Sequence, residues 1–246
     1  MNTKDRNSEI LSYLKERREA TVKELSAHLY VSEPTMRRSL ASLEEKGLVI
    51  RTHGGAIYKG ELGENLPLSY REREHSEAKR IIAAKCLSLI SDGDTVMLDG
   101  SSSALALIRS LGTKNNIVVI TNSAKAGPLL AESGIKAFVT GGELAHDSIC
   151  YVGTYAERFI DEFSADICFF SVRTLCHDGR LTDNAIGENA IRKRMIKSSQ
   201  RSILMLDSQK IGAPCLNTLC HIDDVDAVVS ETDISHIFPH IKDKFL

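Results

Sequence analysis

The chain contains no tryptophan, and aromatic residues make up only 5% of its 246 residues. Proteins that bind single-stranded nucleic acid stack bases on aromatic side chains, so this scarcity argues against that class. No stretch approaches the roughly 20 consecutive apolar residues of a membrane-spanning helix, and the first 30 residues are charged throughout. We therefore expect a cytoplasmic protein without a membrane partner.

The six cysteines show no Cys-x-x-Cys spacing, which indicates buried, reduced thiols rather than a disulfide framework or a zinc site. His236 and His240 have helical spacing, but Pro239 lies between them and no third ligand is evident, so no metal is expected. The sequence motifs of serine hydrolases, zinc proteases, dinucleotide-binding folds and P-loops are also absent. We predict neither a catalytic residue nor a cofactor.

Residues 21–58 follow the pattern of a winged helix-turn-helix. Thr21 begins a Thr-x-x-Glu capping box that starts a first short helix. Ser32 is a favourable N-cap for a second helix, which we expect to run from about Glu33 to Lys46. Gly47 then ends this helix as a left-handed C-cap. Two short helices joined by a tight turn can place a recognition helix in the major groove of duplex DNA.

The exposed face of the second helix is centred on Arg38. Met36, Leu40 and Leu43 recur at helical spacing, so they face the core and Arg38 points away from it. Arginine can bind guanine through two hydrogen bonds, and the hydroxyls of serine and threonine suit phosphates or base edges. The candidate DNA-binding residues on and beside this helix are Ser32, Thr35, Arg37, Arg38 and Ser42.

Residues 48–58 form a predicted hairpin, or wing, in which Gly54 and Gly55 supply the positive φ angles of a tight turn. The wing would hold Arg51 and His53 beside a phosphate or a minor groove. The alternative is a helical hairpin that only packs, with its arginines solvated. We favour DNA binding because the cap, the turn, the two arginines and the wing all agree.

The net charge of −2 and the pI near 6.5 are unusual for a DNA-binding protein. Residues 1–58, however, contain ten Lys or Arg against eight Asp or Glu, a net charge of +2, which leaves −4 for residues 59–246. Charge directed at phosphates therefore belongs to the N-terminal part. Because this excess is small, we expect a dimer or a larger oligomer that places several heads on repeated half-sites of a double-stranded operator.

After Tyr58 the sequence becomes rich in Gly, Glu and Pro without periodicity, which indicates a linker. We place a DNA-binding domain at 1–58, the linker at 59–75 and an effector-binding domain at 76–246, whose first helix is capped by Ser76. The rest of the chain alternates short apolar runs with helical stretches, as a parallel sheet with crossover helices does. The predicted strands are Thr95–Leu98, Ile117–Ile120, Ala137–Val139, Ile167–Phe170, Ile203–Leu206 and Ala227–Val229.

Ligands of open parallel sheets bind beyond the carboxyl ends of the strands. The first predicted strand is followed by Asp99-Gly100-Ser101-Ser102-Ser103, and a helix is expected to start at Ala104. Loop amides and hydroxyls at such a place favour an anion. Lys210 adds an ammonium group, while Asn122, Glu143 and Asp183 offer acceptors suited to sugar hydroxyls. These residues predict a pocket for a phosphorylated small polyol.

Each of these loops, taken singly, also has a purely structural interpretation, because Ser, Asn and Gly cap helices and form turns. Five loops that converge on one sheet edge favour a binding site. The candidate effector-binding residues are Asp99, Gly100, Ser101, Ser102, Ser103, Thr121, Asn122, Gly141, Gly142, Glu143, Arg173, Asp183, Glu188 and Lys210.

Over nearly its whole length the chain resembles the DeoR-type bacterial transcription regulators. The matching motifs are Val31-Ser32, Thr35 to Leu40, Leu43-Glu44, Arg51 to Ala56, Asp99, Ser102-Ser103, Thr121-Asn122, Gly141-Gly142, Leu181 to Asp183, Glu188 and Asp207 to Lys210. The resemblance implies a repressor, usually of a carbohydrate operon, that works as a dimer or tetramer. It also implies a C-terminal domain of the sugar-phosphate isomerase and deaminase type that binds a phosphorylated sugar as inducer. The expected fold is thus α/β, an N-terminal winged helix-turn-helix followed by a Rossmann-like parallel-sheet domain.

Three positions depart from the family pattern. Ser39 stands where an Asp usually follows the two arginines, and Ser101 stands where the phosphate loop usually has Gly. Ser171-Val172-Arg173-Thr174 replaces a Gly-x-Asp-Gly motif after the fourth predicted strand. The last change brings an arginine to the pocket, which favours a more acidic effector, such as a sugar acid phosphate or a bisphosphate.

Two functional classes follow from the sequence. In the first, the C-terminal domain is a sensor whose ligand shifts the arrangement of the heads on DNA. In the second, it is an active isomerase or deaminase, with Asp183, Glu188 or Glu143 placed for proton transfer. Because the loop after the fourth strand offers Arg173 rather than an acidic residue, we favour the sensor.

Overall fold

The computed structural model describes residues 3–59 and 66–246. The chain divides into two compact units, with the boundary between Pro67 and Leu68. Within the described ranges, no helix has both the length and the apolar character that crossing a membrane requires.

The N-terminal unit packs helices against a small antiparallel sheet. Its elements are α1 (Thr3–Arg17), β1 (Glu19–Thr21), α2 (Val22–His28), α3 (Glu33–Glu45), β2 (Val49–Arg51) and β3 (Gly55–Tyr58). The strand order is β1-β3-β2, so β1 extends the wing hairpin to three strands. Ile10 and Leu14 of α1 are fully buried in the same core as Met36, Leu40 and Leu43 of α3. We did not predict α1 or β1.

The sequence predicted both ends of the helix-turn-helix. Thr21 caps α2, and the reciprocal bonds between Thr21 and Glu24 complete the capping box. Ser32 has the extended backbone of an N-cap, although its hydroxyl contacts the Thr35 hydroxyl at 3.0 Å instead of a backbone amide. Gly47 follows α3 with a φ of 70°. These caps fix the length of α3 and therefore which of its residues are exposed.

The prediction that Gly54 and Gly55 supply positive φ angles is wrong, since neither residue adopts one. Gly55 is needed for a different reason: a Cβ atom there would lie 2.1 Å from the Ala20 carbonyl oxygen. Strand β3 passes too close to β1 for any side chain at this position. No atom lies within 4 Å of the corresponding Cβ position of Gly54.

The predicted linker at 59–75 is too long. Its residues 60–65 lie outside the described residues, but helix α4 (Leu68–Arg73) occupies most of the rest, and Leu68 is buried in the core of the C-terminal unit. The prediction that Ser76 caps the next helix is also wrong. Helix α5 (Ser76–Ser88) begins at Ser76, and its N-cap is His75, which has a left-handed backbone with φ 49°.

The C-terminal unit is built on a six-stranded sheet. Its further helices are α6 (Ser102–Ile108), α7 (Ala126–Glu132), α8 (Thr154–Asp161) and α9 (Ile186–Lys197). Its strands are β4 (Thr95–Leu98), β5 (Val118–Thr121), β6 (Lys136–Val139), β7 (Glu143–Ala145), β8 (Cys150–Val152), β9 (Ala165–Phe170), β10 (Thr174–Cys176), β11 (Arg180–Asp183), β12 (Ser199–Met205), β13 (Ile211–Gly212), β14 (Asn217–His221) and β15 (Ala227–Val229). Short 3-10 helices lie at Leu111–Thr113, Ser208–Lys210, Ile222–Asp224, Ser235–Ile237 and Pro239–Lys244.

All six predicted strands lie in one sheet, in the order β15-β12-β9-β4-β5-β6, with every pair parallel. Consecutive side chains of β4 enter different cores: Val96 and Leu98 pack on one face and Met97 on the other. Burial on both faces explains why these strands read as continuous apolar runs. The parallel pairing brings the carboxyl ends of the strands to one edge, which is where the candidate residues follow them.

Two smaller sheets flank this edge. Strands β13, β10, β11 and β14 form a four-stranded sheet, and β7 and β8 form a hairpin. Their strands are only two to five residues long, too short to give a recognisable alternation of apolar residues. The hairpin lies against the loop after β5, because Tyr151 donates its backbone amide to the Asn122 carbonyl at 2.7 Å.

Candidate functional site

The exposed face of α3 carries two arginines. Arg38 is exposed and makes no hydrogen bond or ion pair with the described residues, whereas Met36 and Leu40 on the opposite face are buried. Arg37 lies 3.4 Å from Glu33 one turn earlier, with both side chains about half exposed. An exposed ion pair of this kind is weak, so Arg37 remains available for a phosphate. Arg38 is the better candidate for base recognition because no carboxylate holds it.

The wing is tied to the end of α3. The Arg51 amide donates to Glu44 Oε1 at 3.1 Å, and its guanidinium lies 3.7 Å from Glu44 Oε2. His53 is exposed in the turn between β2 and β3. Glu44 thus fixes the wing relative to the recognition helix while partly neutralising Arg51.

Ser42 lies at the edge of the exposed face. It is half-buried and lines a cavity of about 380 Å³ between α1 and α3, together with residues that include Asn7 and Lys46. On the same flank of α3, Arg6 of α1 donates its Nε hydrogen to the buried Ser39 hydroxyl at 2.8 Å. Sequence reasoning missed Arg6 because it did not predict α1.

In the C-terminal unit, a buried arginine that sequence reasoning also missed organises the strand ends. Arg192, on α9, donates to Asp99 Oδ2 at 2.9 Å, to Asp183 Oδ2 at 2.9 Å and to Glu188 Oε2 at 3.1 Å. It also donates to Asn189 Oδ1 at 2.9 Å. The loop after β4, strand β11 and helix α9 are therefore joined through one guanidinium. Burial alone would lower its pKa, but the three carboxylates raise it.

This arrangement changes the roles expected for the acidic residues. Asp183 was predicted to accept sugar hydroxyls, but its Oδ1 already accepts the amides of Asn184 and Ala185, and its Oδ2 accepts from Arg192. Although burial opposes it, the Arg192 charge holds the pKa of Asp183 below its ordinary value. An ion-paired carboxylate with a lowered pKa is a poor general base. Asp183 is thus better placed to orient Arg192 than to transfer protons, and Glu188 binds the same guanidinium.

The loop after β4 is held closely. Helix α6 starts at Ser102 rather than at the predicted Ala104, and Ser101 is its N-cap, accepting the Ala104 amide at 3.1 Å. Asp99 accepts the Ser101 amide at 3.1 Å, so its two oxygens serve the loop and Arg192. Gly100 must be glycine because a Cβ there would lie 2.6 Å from the Cβ of Cys150. The Asp99 carboxylate and the Ser101 hydroxyl oxygen were expected to contact a ligand, but both already bind other groups of the protein.

Four buried polar atoms at the ends of β4, β5 and β6 have no hydrogen-bond partner within the described residues. They are the Ser103, Ser123 and Thr140 hydroxyl oxygens and Asn122 Oδ1, on side chains that are at most 2% exposed. The Asn122 amide nitrogen, in contrast, donates to the Tyr151 carbonyl at 2.9 Å. Buried polar atoms without partners are costly, so this edge of the sheet is the candidate binding site of the C-terminal unit.

The remaining predicted residues lie around this cluster. The Thr121 hydroxyl accepts the Ser123 amide at 3.1 Å, and Ser102 is buried. Gly142 has a φ of 124° and lies against Val152 of the β7–β8 hairpin. Gly141 and Glu143 are exposed, and no hydrogen bond in the described part of the chain joins the Glu143 side chain to the other predicted residues. The structure therefore does not bring Glu143 into the buried cluster.

Lys210, after β12, supplies a cation. Its ammonium donates to the Ser171 hydroxyl at 2.8 Å, and the Ser171 amide donates to Asp99 Oδ2 at 3.2 Å. The residue as a whole is partly exposed although its ammonium is enclosed. Burial, with the nearby Lys79 charge as the next cause, lowers the pKa of Lys210 to about 8. Arg173 is half-buried and makes no ion pair among residues 3–59 and 66–246.

The edge offers no reactive thiol or metal cluster within the described residues. Cys150 is buried against Gly100, and burial raises the pKa of its thiol to about 12. All six cysteines are free. No three His, Cys, Asp or Glu side chains in the described ranges are arranged to hold a metal ion. What the edge offers is hydroxyls, an amide oxygen and ammonium groups, which suit binding of a polar anion.

Comparison with known proteins agrees with the division of the chain into an N-terminal helix-turn-helix unit and a C-terminal unit. Residues 6–61 match the model of a DeoR-like helix-turn-helix domain, and residues 74–232 match that of a DeoR C-terminal sensor domain. The transcriptional repressor AccR of Agrobacterium fabrum is 29% identical over 99% of this chain and 95% of its own. The lactose phosphotransferase system repressor of Staphylococcus epidermidis is 28% identical over 95% of this chain and 94% of its own.

Solved structures align with part of this chain at low sequence identity. The eIF2B delta subunit of Chaetomium thermophilum aligns with a TM-score of 0.50 at 13% identity, covering 68% of this chain and 60% of that one. Ribose 5-phosphate isomerase A of Methanocaldococcus jannaschii aligns with a TM-score of 0.44 at 19% identity, covering 56% of each chain.

Proposed function

The chain belongs to the DeoR family of DNA-binding transcription regulators, and we propose that it represses a carbohydrate-utilisation operon and is released by a phosphorylated sugar. One relative is named as the repressor of a lactose phosphotransferase system, which supports a carbohydrate operon as the target. The regulator class follows from the matched family, whereas the operon and the effector are inferences.

The observation that carries the effector proposal is the cluster of unpartnered polar atoms at the strand ends. Hydroxyls and an amide oxygen, as at Ser103, Asn122 and Thr140, pair naturally with the hydroxyls of a sugar. The enclosed ammonium of Lys210 at the same edge suits a phosphoryl group. A neutral sugar would give this cation no anionic partner, so a sugar phosphate fits the set of groups best.

We assign operator contact to residues 1–58. Arg38 would contact base edges. The residues that would contact phosphates or the minor groove are Thr35, Arg37 and, on the wing, Arg51 and His53. The net charge of residues 1–58 is only +2, which supports a homodimer or homotetramer as the working form. Effector binding would then change the spacing of the heads and lower operator affinity.

A screen of phosphorylated sugars by thermal unfolding tests the effector proposal. A ligand at 100 times its Kd adds roughly 2.7 kcal/mol to stability, and the same compound should release the protein from operator DNA. Replacing Lys210 and Ser102 together by Ala should abolish this response and leave DNA affinity unchanged. If the double variant is released with normal potency, the pocket is misplaced.

A matched pair of serine variants sharpens the test. Ser103→Ala removes an unpartnered buried hydroxyl at the strand ends, and Ser26→Ala removes one in the DNA-binding unit. Both substitutions should change stability little, because neither hydroxyl has a partner to lose. Only Ser103→Ala should weaken the effector, so equal potency in the two variants would contradict the site.

A further inference from the structure

Lys79, on α5, is a buried lysine that no motif assigned to the site. It is 4% exposed, and its ammonium donates to the carbonyl oxygens of Arg71, at 2.8 Å, and Glu74 near the end of α4. No carboxylate in the described ranges lies within ion-pair distance of it, and its third ammonium hydrogen has no acceptor among those residues. A buried ammonium that is only partly satisfied carries a desolvation cost.

A series of hydrogen bonds joins the segment that carries Lys79 to the loop that carries Lys210. The Lys79 amide donates to the His75 carbonyl at 3.1 Å, and His75 Nδ1 lies 2.5 Å from Asp207 Oδ2. The Lys210 amide in turn donates to the Asp207 carbonyl at 2.9 Å. The first turn of α5 and the loop after β12 are thus joined through the His75–Asp207 contact.

The two ammonium groups disfavour each other. Burial and then the Lys79 charge lower the pKa of Lys210, which Asp207 only partly offsets. Burial also lowers the pKa of Lys79. The Lys79 charge thus acts on the Lys210 ammonium, and a bound anion would stabilise both charged groups.

Helix capping alone does not explain this arrangement. Holding the C-terminal carbonyls of α4 uses two of the three ammonium hydrogens and does not require a second lysine nearby. Lys85, farther along α5, also donates its ammonium to carbonyl oxygens, those of Ser230 and Leu246. Unlike Lys79, however, it is exposed.

We propose that Lys79 is a ligand-binding residue, which together with Lys210 binds the phosphoryl group of the effector. The proposal rests on the proposed function and adds a second cation from a different element. It also assigns an orientation: the phosphoryl group lies toward α5 and the loop after β12. The polyol then lies toward the unpartnered groups of Ser103, Asn122 and Thr140.

Titration of the full chain with inorganic phosphate at pH 7 tests the proposal by calorimetry. Lys79→Met should weaken phosphate binding at least about tenfold, whereas Lys85→Met, the same change on the same helix, should leave the Kd unchanged. Equal affinities for the wild type and Lys79→Met would overturn the assignment. If the wild type binds neither phosphate nor any phosphorylated sugar, the proposed function itself fails.

A measurement without substitutions covers the case in which Lys79→Met does not fold. In protein labelled with ¹³C at the lysine ε carbons, saturating phosphate should shift the Lys79 and Lys210 resonances and leave that of Lys85 in place. Lys79→Arg, which keeps the charge, should retain binding within several-fold. A Lys79 resonance that stays fixed while that of Lys210 shifts would rule out direct contact.

Discussion

Gly55 is a residue whose identity is set by the approach of two backbones. Its Cβ would lie 2.1 Å from the Ala20 carbonyl oxygen, so Gly55→Ala must displace β3 from β1. We expect the substitution to destabilise the DNA-binding unit by about 1–3 kcal/mol. The neighbouring Gly54→Ala meets no atom within 4 Å and should be neutral or slightly stabilising. Thermal unfolding of both variants checks the difference, and equal melting temperatures would contradict the packing.

Arg192 holds three buried carboxylates together at the strand ends, those of Asp99, Asp183 and Glu188. Arg192→Met would leave three buried carboxylates without their cation, which should cost about 3–5 kcal/mol of unfolding free energy. Arg194→Met on the same helix is the matched control, because Arg194 pairs with partly exposed carboxylates and should lose at most about 1 kcal/mol. Urea unfolding gives both values. A loss of under 1 kcal/mol for Arg192→Met would show that the carboxylates are held in some other way.

Substitution of Arg38 tests whether α3 is the helix that recognises DNA. Arg38→Ala should weaken binding to a DNA site selected by the wild type by about 1–3 kcal/mol and relax its base preference. Arg80→Ala, an exposed arginine of the C-terminal unit that is paired with Glu77, should leave DNA binding unchanged. Fluorescence anisotropy and repeated site selection measure the two effects. Unchanged affinity and preference in Arg38→Ala would argue against the assignment of α3.

The sequence predicted residue roles well where one local rule decides them. The caps at Thr21 and Gly47 and the exposure of Arg38 could be predicted because capping and helical spacing act within a few residues. Arg192 could not be found this way, because its partners Asp99 and Asp183 are far away in sequence. Its one local signal was Glu188 four residues earlier, which could equally have been an exposed helix pair.

At the scale of elements, the long apolar strands were predictable and the short ones were not. Strands β4 and β15 have the predicted bounds, and the four other strands of the large sheet differ by a few residues at their ends. Strand β13 has two residues and β10 has three, so their pairing depends on neighbours that only the fold supplies. Helix α4 was read as linker because its charged six-residue sequence, LSYRER, buries only Leu68.

The loop after β12 predicts a pH dependence of anion binding. The pKa of Lys210 is about 8 in the folded protein, so its ammonium is charged below pH 8 and neutral above it. Sulfate does not titrate in this range, and its affinity should therefore fall by up to about tenfold per pH unit above pH 8. Calorimetry from pH 7 to 9.5 measures the slope, which Lys210→Gln should flatten. An affinity that is constant across this range would place the anion elsewhere.

The lowered pKa of Lys210 also affects the stability of the fold. As the pH rises above about 8, the affinity for an anion should fall, whereas the free energy of unfolding should rise. A lysine whose pKa is lowered on folding releases its proton earlier in the folded state than in the unfolded one. The unfolded chain therefore binds more protons between about pH 8 and the ordinary lysine range, and stability rises with pH there. Thermal unfolding without anions should show this rise, and Lys210→Gln should reduce it.

At the scale of the whole molecule, the weak charge of the DNA-binding unit predicts an assembly. We expect light scattering to give a mass of at least twice the chain mass of 27.1 kDa at the concentrations that bind DNA. A footprint should then cover repeated half-sites separated by about one helical turn, roughly 34–36 Å, or a multiple of it. A monomer that protects a single half-site with full affinity would contradict this expectation.

The guanidinium of Arg192 bonds to the loop after β4, to the end of β11 and to its own helix α9. If one of these segments moved relative to the others, a buried carboxylate would lose the cation that pairs with it. They therefore shift as one rigid piece, and any motion that accompanies effector binding has to occur at the borders of that piece.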